Sequence, residues 1–189
     1  MSKLFLKGSA MLAPVPPALI CSKCNDRINV MTAAWTGMLS TRPPMTYVSI
    51  RPERFSYQMI KESGEFTVNL CTSALVPVAD YCGVVSGKNV DKFEKLGITP
   101  ADAKSVSAPI IEESPLSLEC KVTDIVNLGS HDMFIAEIVG IDVDESIMDE
   151  SGKICIGKAN LAAYAHGDYY RLGKKLGSFG FTVKKRKRK

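Results

Sequence analysis

Polar and apolar side chains alternate along residues 117–125, Ser-Leu-Glu-Cys-Lys-Val-Thr-Asp-Ile, so that Leu118, Cys120 and Val122 fall on one face and Glu119, Lys121 and Thr123 on the other. A period of two is the mark of a half-buried strand of antiparallel type. Residues 133–143 form a second such stretch, and the Asn-Leu-Gly-Ser-His-Asp between them has the composition of a turn, so the pair predicts a hairpin. Further strands are expected at residues 18–21, 29–35, 47–50 and 66–70, each bounded by Pro, Gly, Asn or Asp. Six short strands point to a barrel or a sandwich. Helical spacing is confined to short stretches. Met59 and Ile60 share a face in residues 56–63, with Gly64 placed to end the helix. Ser73 is a candidate cap for a helix through Tyr81, and residues 91–96 form another that stops at Gly97. The second half of the chain lacks the long amphipathic helices that parallel strands need, which argues against a doubly wound sheet.

Composition sharpens this outline without redirecting it. A chain of 189 residues with 46% hydrophobic content is long enough for one well-buried core and would be cramped as two. The formal charge of +4 hides a mildly acidic body at −2, because the last six residues, 184–189, are all basic. Such a run could meet nucleic acid, an anionic membrane or a nuclear import receptor, but a terminal block of like charge reads first as a solvated tail. No aromatic-rich basic face elsewhere supports nucleic-acid binding. Six cysteines lie mostly inside apolar segments, as small hydrophobes in a reduced protein do. An apolar stretch after Lys3 and Lys7 faintly resembles an export signal. Pro14, Pro16 and Pro17 interrupt it, however, and no run reaches the roughly 18–20 apolar residues of a membrane span, so a cytoplasmic, non-membrane protein is expected.

The candidate chemistry gathers between residues 29 and 56. Asn29, Met31, Thr32, Ala33, Ala34 and Trp35 read as a strand able to cover a planar ring. Ser49, Ile50, Arg51, Arg54 and Ser56 follow at the end of a second strand, where hydroxyls and guanidinium forks suit an anion. A third cluster, Cys82 followed by Ser86, Gly87 and Lys88, combines close-approach glycine with a positive charge, and its bland reading is a loop before a capped helix. A phosphate could be shared between that loop and Arg51, Arg54 and Ser56. Neither GxGxxG nor GxxxxGK[ST] is present, so the common glycine-rich phosphate cradles are excluded. Cys21-x-x-Cys24 leaves redox and metal readings open beside a structural one, although no second ligand pair accompanies it and no metal is expected. His131 stands at the hairpin turn, where solvated histidines are common. His166 lies in an aromatic cluster, residues 164–170, that reads as an interface or as ordinary packing. Ser-His-Asp hydrolysis has no nucleophile motif behind it.

Taken in order, PVPPALICS, NVMTAAWTG, RPPMTYVSIRPERFS, SGEFTVNL, CGVVSGKNVDKF, LECKV, GSHDMFIAEIVGI and GDYYRLGKKLGSFGF resemble the flavin reductase-like, FMN-binding split-barrel family, and within it the flavoredoxin branch. The resemblance implies a mainly β fold: a six-stranded antiparallel Greek-key split barrel with short peripheral helices. Residues 1–183 would form the domain and 184–189 a basic tail. It implies a homodimer with FMN near the subunit interface, the 29–35 segment along the ring and ribityl chain, residues 49–56 around the phosphate, and Ser86, Gly87 and Lys88 closing over it. His131 would face the flavin or an incoming nicotinamide. Many relatives have Gly-Asp-His where this chain has Gly129-Ser130-His131. The function implied is a flavoprotein oxidoreductase supplied by NAD(P)H or by a reduced protein donor. An electron carrier between protein partners, or a flavin-binding module without redox role, is the alternative.

Overall fold

The computed structural model describes residues 2–183, so the basic run at 184–189 lies outside the described residues. In chain order the elements are β1 (Ala18–Cys24), β2 (Arg27–Ala33), β3 (Thr36–Thr41), β4 (Pro44–Ile50), α1 (Phe55–Ser63), β5 (Glu65–Asn69), α2 (Val76–Val84), α3 (Lys92–Leu96), β6 (Pro100–Ala101), β7 (Ile110–Ile111), β8 (Leu116–Asn127), β9 (Asp132–Val143), β10 (Ala162–Ala165) and β11 (Asp168–Arg171). Seven of the strands make one antiparallel sheet in the order β2-β1-β5-β8-β9-β4-β3.

That order carries a geometric consequence. The two outermost strands, β2 and β3, are consecutive in the chain and only Ala34 and Trp35 separate them. The three Cα–Cα steps from Ala33 to Thr36 span at most about 11 Å, so the sheet must curl until its edges almost meet. The Ser49 amide donates to the Trp35 carbonyl at 2.9 Å, which continues the β3–β4 pairing by one residue, and no ladder joins β2 to β3. The result is an open barrel with a split between its edge strands β2 and β3.

The interior is filled by alternate residues of the curled strands, among them Ile20, Val48, Ile50, Phe66, Phe134 and Ala136, with Tyr57 and Ile60 of α1 plugging one end. A second core lies outside the barrel, where Leu19, Cys21 and Val30 meet Ala79 and Cys82 of α2 and Phe93 of α3. Both faces of β1 are therefore buried. This is why residues 18–21 are an uninterrupted apolar run where β8 alternates.

Three details correct the sequence reading. The sheet holds seven strands where six were expected, because β3 lies in a span read as a loop. An edge strand with one partner and mostly exposed side chains needs no apolar alternation, and Thr-Gly-Met-Leu-Ser-Thr shows none. Strand β2 ends at Ala33, short of Trp35. Ser73 does not cap α2, which starts from Leu75 without a side-chain cap, and its hydroxyl instead donates to the Asn160 carbonyl at 3.1 Å. The other two helices begin and end close to expectation. Gly64 and Gly97 take left-handed conformations after α1 and α3, and the Asp91 carboxylate accepts from the amides of Phe93 and Glu94.

Candidate functional site

The split in the barrel is where the cleft opens. About 720 Å³ lies between the end of β2, the end of β4 and the C-terminal half of α2, with the β8–β9 and β10–β11 turns at its rim. Met31, Ala33, Ala34 and Ile50 give it flat apolar walls. Thr32 is pinned through its hydroxyl to the Ala79 carbonyl at 2.6 Å, which ties β2 to α2. Trp35 and Ser49 flank the seam. Tyr164 and Tyr169, ring centroids 5.3 Å apart, stand on the far side, and the Tyr169 hydroxyl reaches Asp80 at 3.4 Å. Burial first, and then the Asp80 carboxylate, push Tyr169 up to about 12, so it stays a neutral donor.

A second cavity of about 270 Å³ adjoins the first and shares Met31, Arg51 and Arg54 with it. Its lining is polar: Asn29 from β2, Ser56 from α1, Ser86 and Gly87 from the loop after α2, and Lys92 from α3. Asn29 donates to the Ser56 hydroxyl at 2.8 Å, and Arg54 donates to the Gly83 carbonyl at 2.9 Å, which leaves the rest of its guanidinium fork free for a ligand. Gly87 is required by close approach, since a Cβ there would lie 1.9 Å from Asn29 Oδ1. Arg27 holds the same loop from behind, with one amino group on the Gly87 and Lys88 carbonyls at 2.7 Å each.

Lys92 is the residue that sequence reasoning missed. It is 3% exposed, and its ammonium donates to the Val30 and Cys82 carbonyls at 2.8 and 3.2 Å. Burial lowers its pKa, with Cys82 and Arg54 acting in smaller and opposing ways. Three ammonium protons and two carbonyl partners leave one donor for the cavity. Lys88, by contrast, is exposed and lines a separate outer groove with Asp26, Arg27 and Asp91, away from both clefts. The Asp91 cap places Lys92 at the first helical position beside the loop, but no local pattern says that this lysine and not Lys88 turns inward.

His131 lines the large cleft from the β8–β9 turn, half-buried, with Nδ1 2.9 Å from the Ser130 hydroxyl. Its position is set by its neighbour. The Asp132 carboxylate accepts from Tyr57 at 2.5 Å and from Asn127 at 2.6 Å, so the turn is anchored to α1. The Tyr57 hydrogen bond is also the main reason that Asp132 is held below the ordinary carboxylate range and Tyr57 is pushed above the phenol range. His166 lies elsewhere, exposed in the β10–β11 turn with positive φ, as a tight hairpin turn requires.

Of the residues that the sequence assigned to the ligand, all but Lys88 line one or other of the two joined clefts. The cysteine pair does not join them as a unit. Cys21 and Cys24 are three apart on one strand and so point to opposite faces. Cys21 is buried in the outer core, and the Cys24 thiol donates to Glu62 at 3.0 Å. Burial pushes Cys82 up to about 11, so this wall of the small cavity is an inert thiol. Among the described residues no group of three or more His, Cys, Asp or Glu side chains is placed to share a metal ion.

The donor set fits an FMN-like molecule: flat apolar walls for a ring, and, where the clefts join, two arginines, a buried lysine, hydroxyls and a glycine loop for a phosphate. Comparison with known proteins agrees. The family described as "Flavin reductase like domain" matches residues 11–173. An uncharacterized protein of Archaeoglobus fulgidus is 36% identical over 73% of this chain and 77% of its own length. One of Aeropyrum pernix is 34% identical over 67% of this chain, which spans only 49% of that relative. Among solved structures, flavoredoxin of Desulfovibrio vulgaris (Miyazaki F) is 35% identical and superposes with a TM-score of 0.90 over 97% of this chain and 100% of its own. The flavoredoxin of Methanosarcina acetivorans gives 26% and 0.88 over the same shares.

Proposed function

The chain belongs to the flavin reductase-like domain family, and from that premise we propose that it is an FMN-dependent oxidoreductase whose bound flavin is reduced by NAD(P)H. The observation that carries this reading is the junction of the two clefts, with its apolar seam on one side and Ser56, Arg54 and Lys92 on the other. FMN, when bound, supplies hydride and single-electron chemistry that no side chain has. The protein's part is placement. Met31, Ala33 and Ala34 flank the ring and exclude water from one side, and the Thr32 bond to Ala79 keeps that strand from shifting. Arg54, Lys92 and Ser56 hold the phosphate, fixing the ring's position along the seam. His131 borders the open side of the cleft, where an imidazole can orient a donor's carboxamide.

A second subunit belongs to the same reading. Alternate residues of β4, β8 and β9 that point away from the barrel core should be polar if solvated, yet Met45, Tyr47, Val126, Met133 and Ile135 stand together there, all half-buried. In register, Met133 pairs with Ser49, which lines the cleft, so a homodimer packed on this face would reach the flavin's edge.

The similarity to flavoredoxin favours one other reading, in which a protein donor replaces the nicotinamide. Anaerobic addition of NADH or NADPH to the FMN-loaded protein separates the two. Bleaching of the flavin absorption supports the first. Bleaching only by a low-potential protein donor supports the second.

A further inference from the structure

The small polar cavity lies between two pieces of chain that are far apart in sequence. One is the first turn of α1, which brings Phe55 and Ser56, and the other is the loop after α2, which brings Ser86 and Gly87. Among the described residues, 86–90 make no backbone hydrogen bond to another element, and Arg27 is the only side chain from outside the loop that hydrogen-bonds to them. Arg27 and Asn29 are two apart on β2, so they share a face of the strand, and both span the gap between α1 and the loop. Asn29 does so from within: it donates to the Ser56 hydroxyl, and its Oδ1 stands where a Cβ on Gly87 would fall. Arg27 does so from behind. Its guanidinium lies 4.4 Å over the Phe55 ring while one amino group donates to the Gly87 and Lys88 carbonyls at 2.7 Å each, and it lines neither cleft.

We propose that Arg27 is a positioning residue that sets the width of the small cavity, and with it the preference for FMN over riboflavin; the proposal rests on the flavin reading above. A phosphate between α1 and the loop is held firmly only if donors on both walls reach it at once, and hydrogen bonds fade quickly beyond about 3.2 Å. A loop free to drift outward by an ångström would leave the anion held from one side. Asn29 limits how far the loop can close, because its side chain stands against Gly87. Arg27 limits how far it can open, because the same guanidinium is seated on Phe55 and bonded to two loop carbonyls. The two stops act on the phosphate end of the ligand alone. Riboflavin has no group to place there, so its affinity does not depend on the tie. Arg27 is exposed, and its charge acts on a ligand in the cavity only at long range, through a field that salt screens.

Arg27→Met tests this, since it keeps an unbranched chain over Phe55 and removes both bonds to the loop. Flavin fluorescence titrations with FMN and with riboflavin are run on the full chain and the variant at about 0.1 M and about 1 M salt, where the screening length falls from roughly 10 Å to 3 Å. The expected result is FMN binding weakened about tenfold at both salt concentrations, with riboflavin within about twofold of the parent protein. A loss that disappears at high salt would reduce Arg27 to a distant attractive charge and overturn the proposal. So would an equal loss for riboflavin, which general loosening of the fold produces, or an FMN affinity that does not change. If Arg27→Met does not fold, Phe55→Leu takes its place: it removes the aromatic seat while keeping the charge and both donors, and should shift the FMN-to-riboflavin ratio in the same direction by a smaller factor. An unshifted ratio overturns the proposal there too. A parent protein that binds FMN no more tightly than riboflavin overturns the phosphate assignment itself, whereas a parent preference that survives in the variants removes Arg27 alone.

Discussion

At the scale of single residues, the proposed site turns on which of two lysines would meet a phosphate in the small cavity. Lys88 follows Ser-Gly and reads as the loop's cation, but its side chain is exposed on the outer groove, whereas Lys92 is 3% exposed against the small cavity. Charge-assisted bonds are each worth about 1.5–3 kcal/mol, which corresponds to roughly tenfold to a hundredfold in Kd. Lys92→Met is therefore expected to weaken FMN by about that factor and riboflavin far less, while Lys88→Ala changes neither much; flavin fluorescence titrations measure all four. Equal losses for FMN and riboflavin would remove Lys92 from the phosphate. His131→Ala should slow reduction by NAD(P)H several-fold more than it weakens FMN retention, read by anaerobic stopped-flow absorption against flavin release. The cleft residues of β2 and β4 were legible because they sit on strands, where position along the chain dictates the face. Lys92 was not, because a one-turn shift at a loop-to-helix junction decides which of two lysines turns inward.

At the scale of elements, α1 and α3 act as braces. Helix α1 carries Ser56 into the small polar cavity and Tyr57 onto Asp132, so one helix positions both that cavity and the turn that bears His131. The Asp132 carboxyl is held below its ordinary 3.8, chiefly by the Tyr57 hydrogen bond. A depressed carboxyl stabilises the fold above its unfolded value and loses that contribution as pH falls through the folded one. Tyr57→Phe is accordingly expected to lower stability at neutral pH, with the difference from the parent protein shrinking as pH falls below about 4; denaturant unfolding at a series of pH values, followed by circular dichroism, checks it. For α3 the brace is the Asp91 cap, which satisfies two amides. Asp91→Ala should cost about 1 kcal/mol in denaturant unfolding and, by loosening the first turn, weaken FMN together with Lys92. An unaltered FMN affinity would separate the cap from the site. Hairpins and capped helices were readable from local chemistry, while β3 was not: it buries Thr36 alone and leaves half of its side chains exposed, so no apolar pattern announces it.

At the scale of the whole molecule, the open barrel presents an apolar outer face next to its cleft. Ile135→Asp on that face is expected to convert the proposed homodimer to monomer in sedimentation analysis and to lower flavin retention in the same preparation. A dimer that survives would place the interface elsewhere. The sequence by itself determined the class of fold, the antiparallel pairing of β8 with β9, the two short helices with left-handed glycine ends, and the chemistry available between residues 29 and 56. Those are consequences of periodicity and of short-range stereochemistry, which act within a few residues. Only the tertiary structure decided that the sheet's two edges come together at Ala34 and Trp35, that a cleft opens at the resulting split, and that Lys92 lines the smaller cavity adjoining it. Each of those joins residues far apart in the chain, and what brings them together is the curl of a sheet whose edge strands are tied by two residues, a constraint that no local pattern contains.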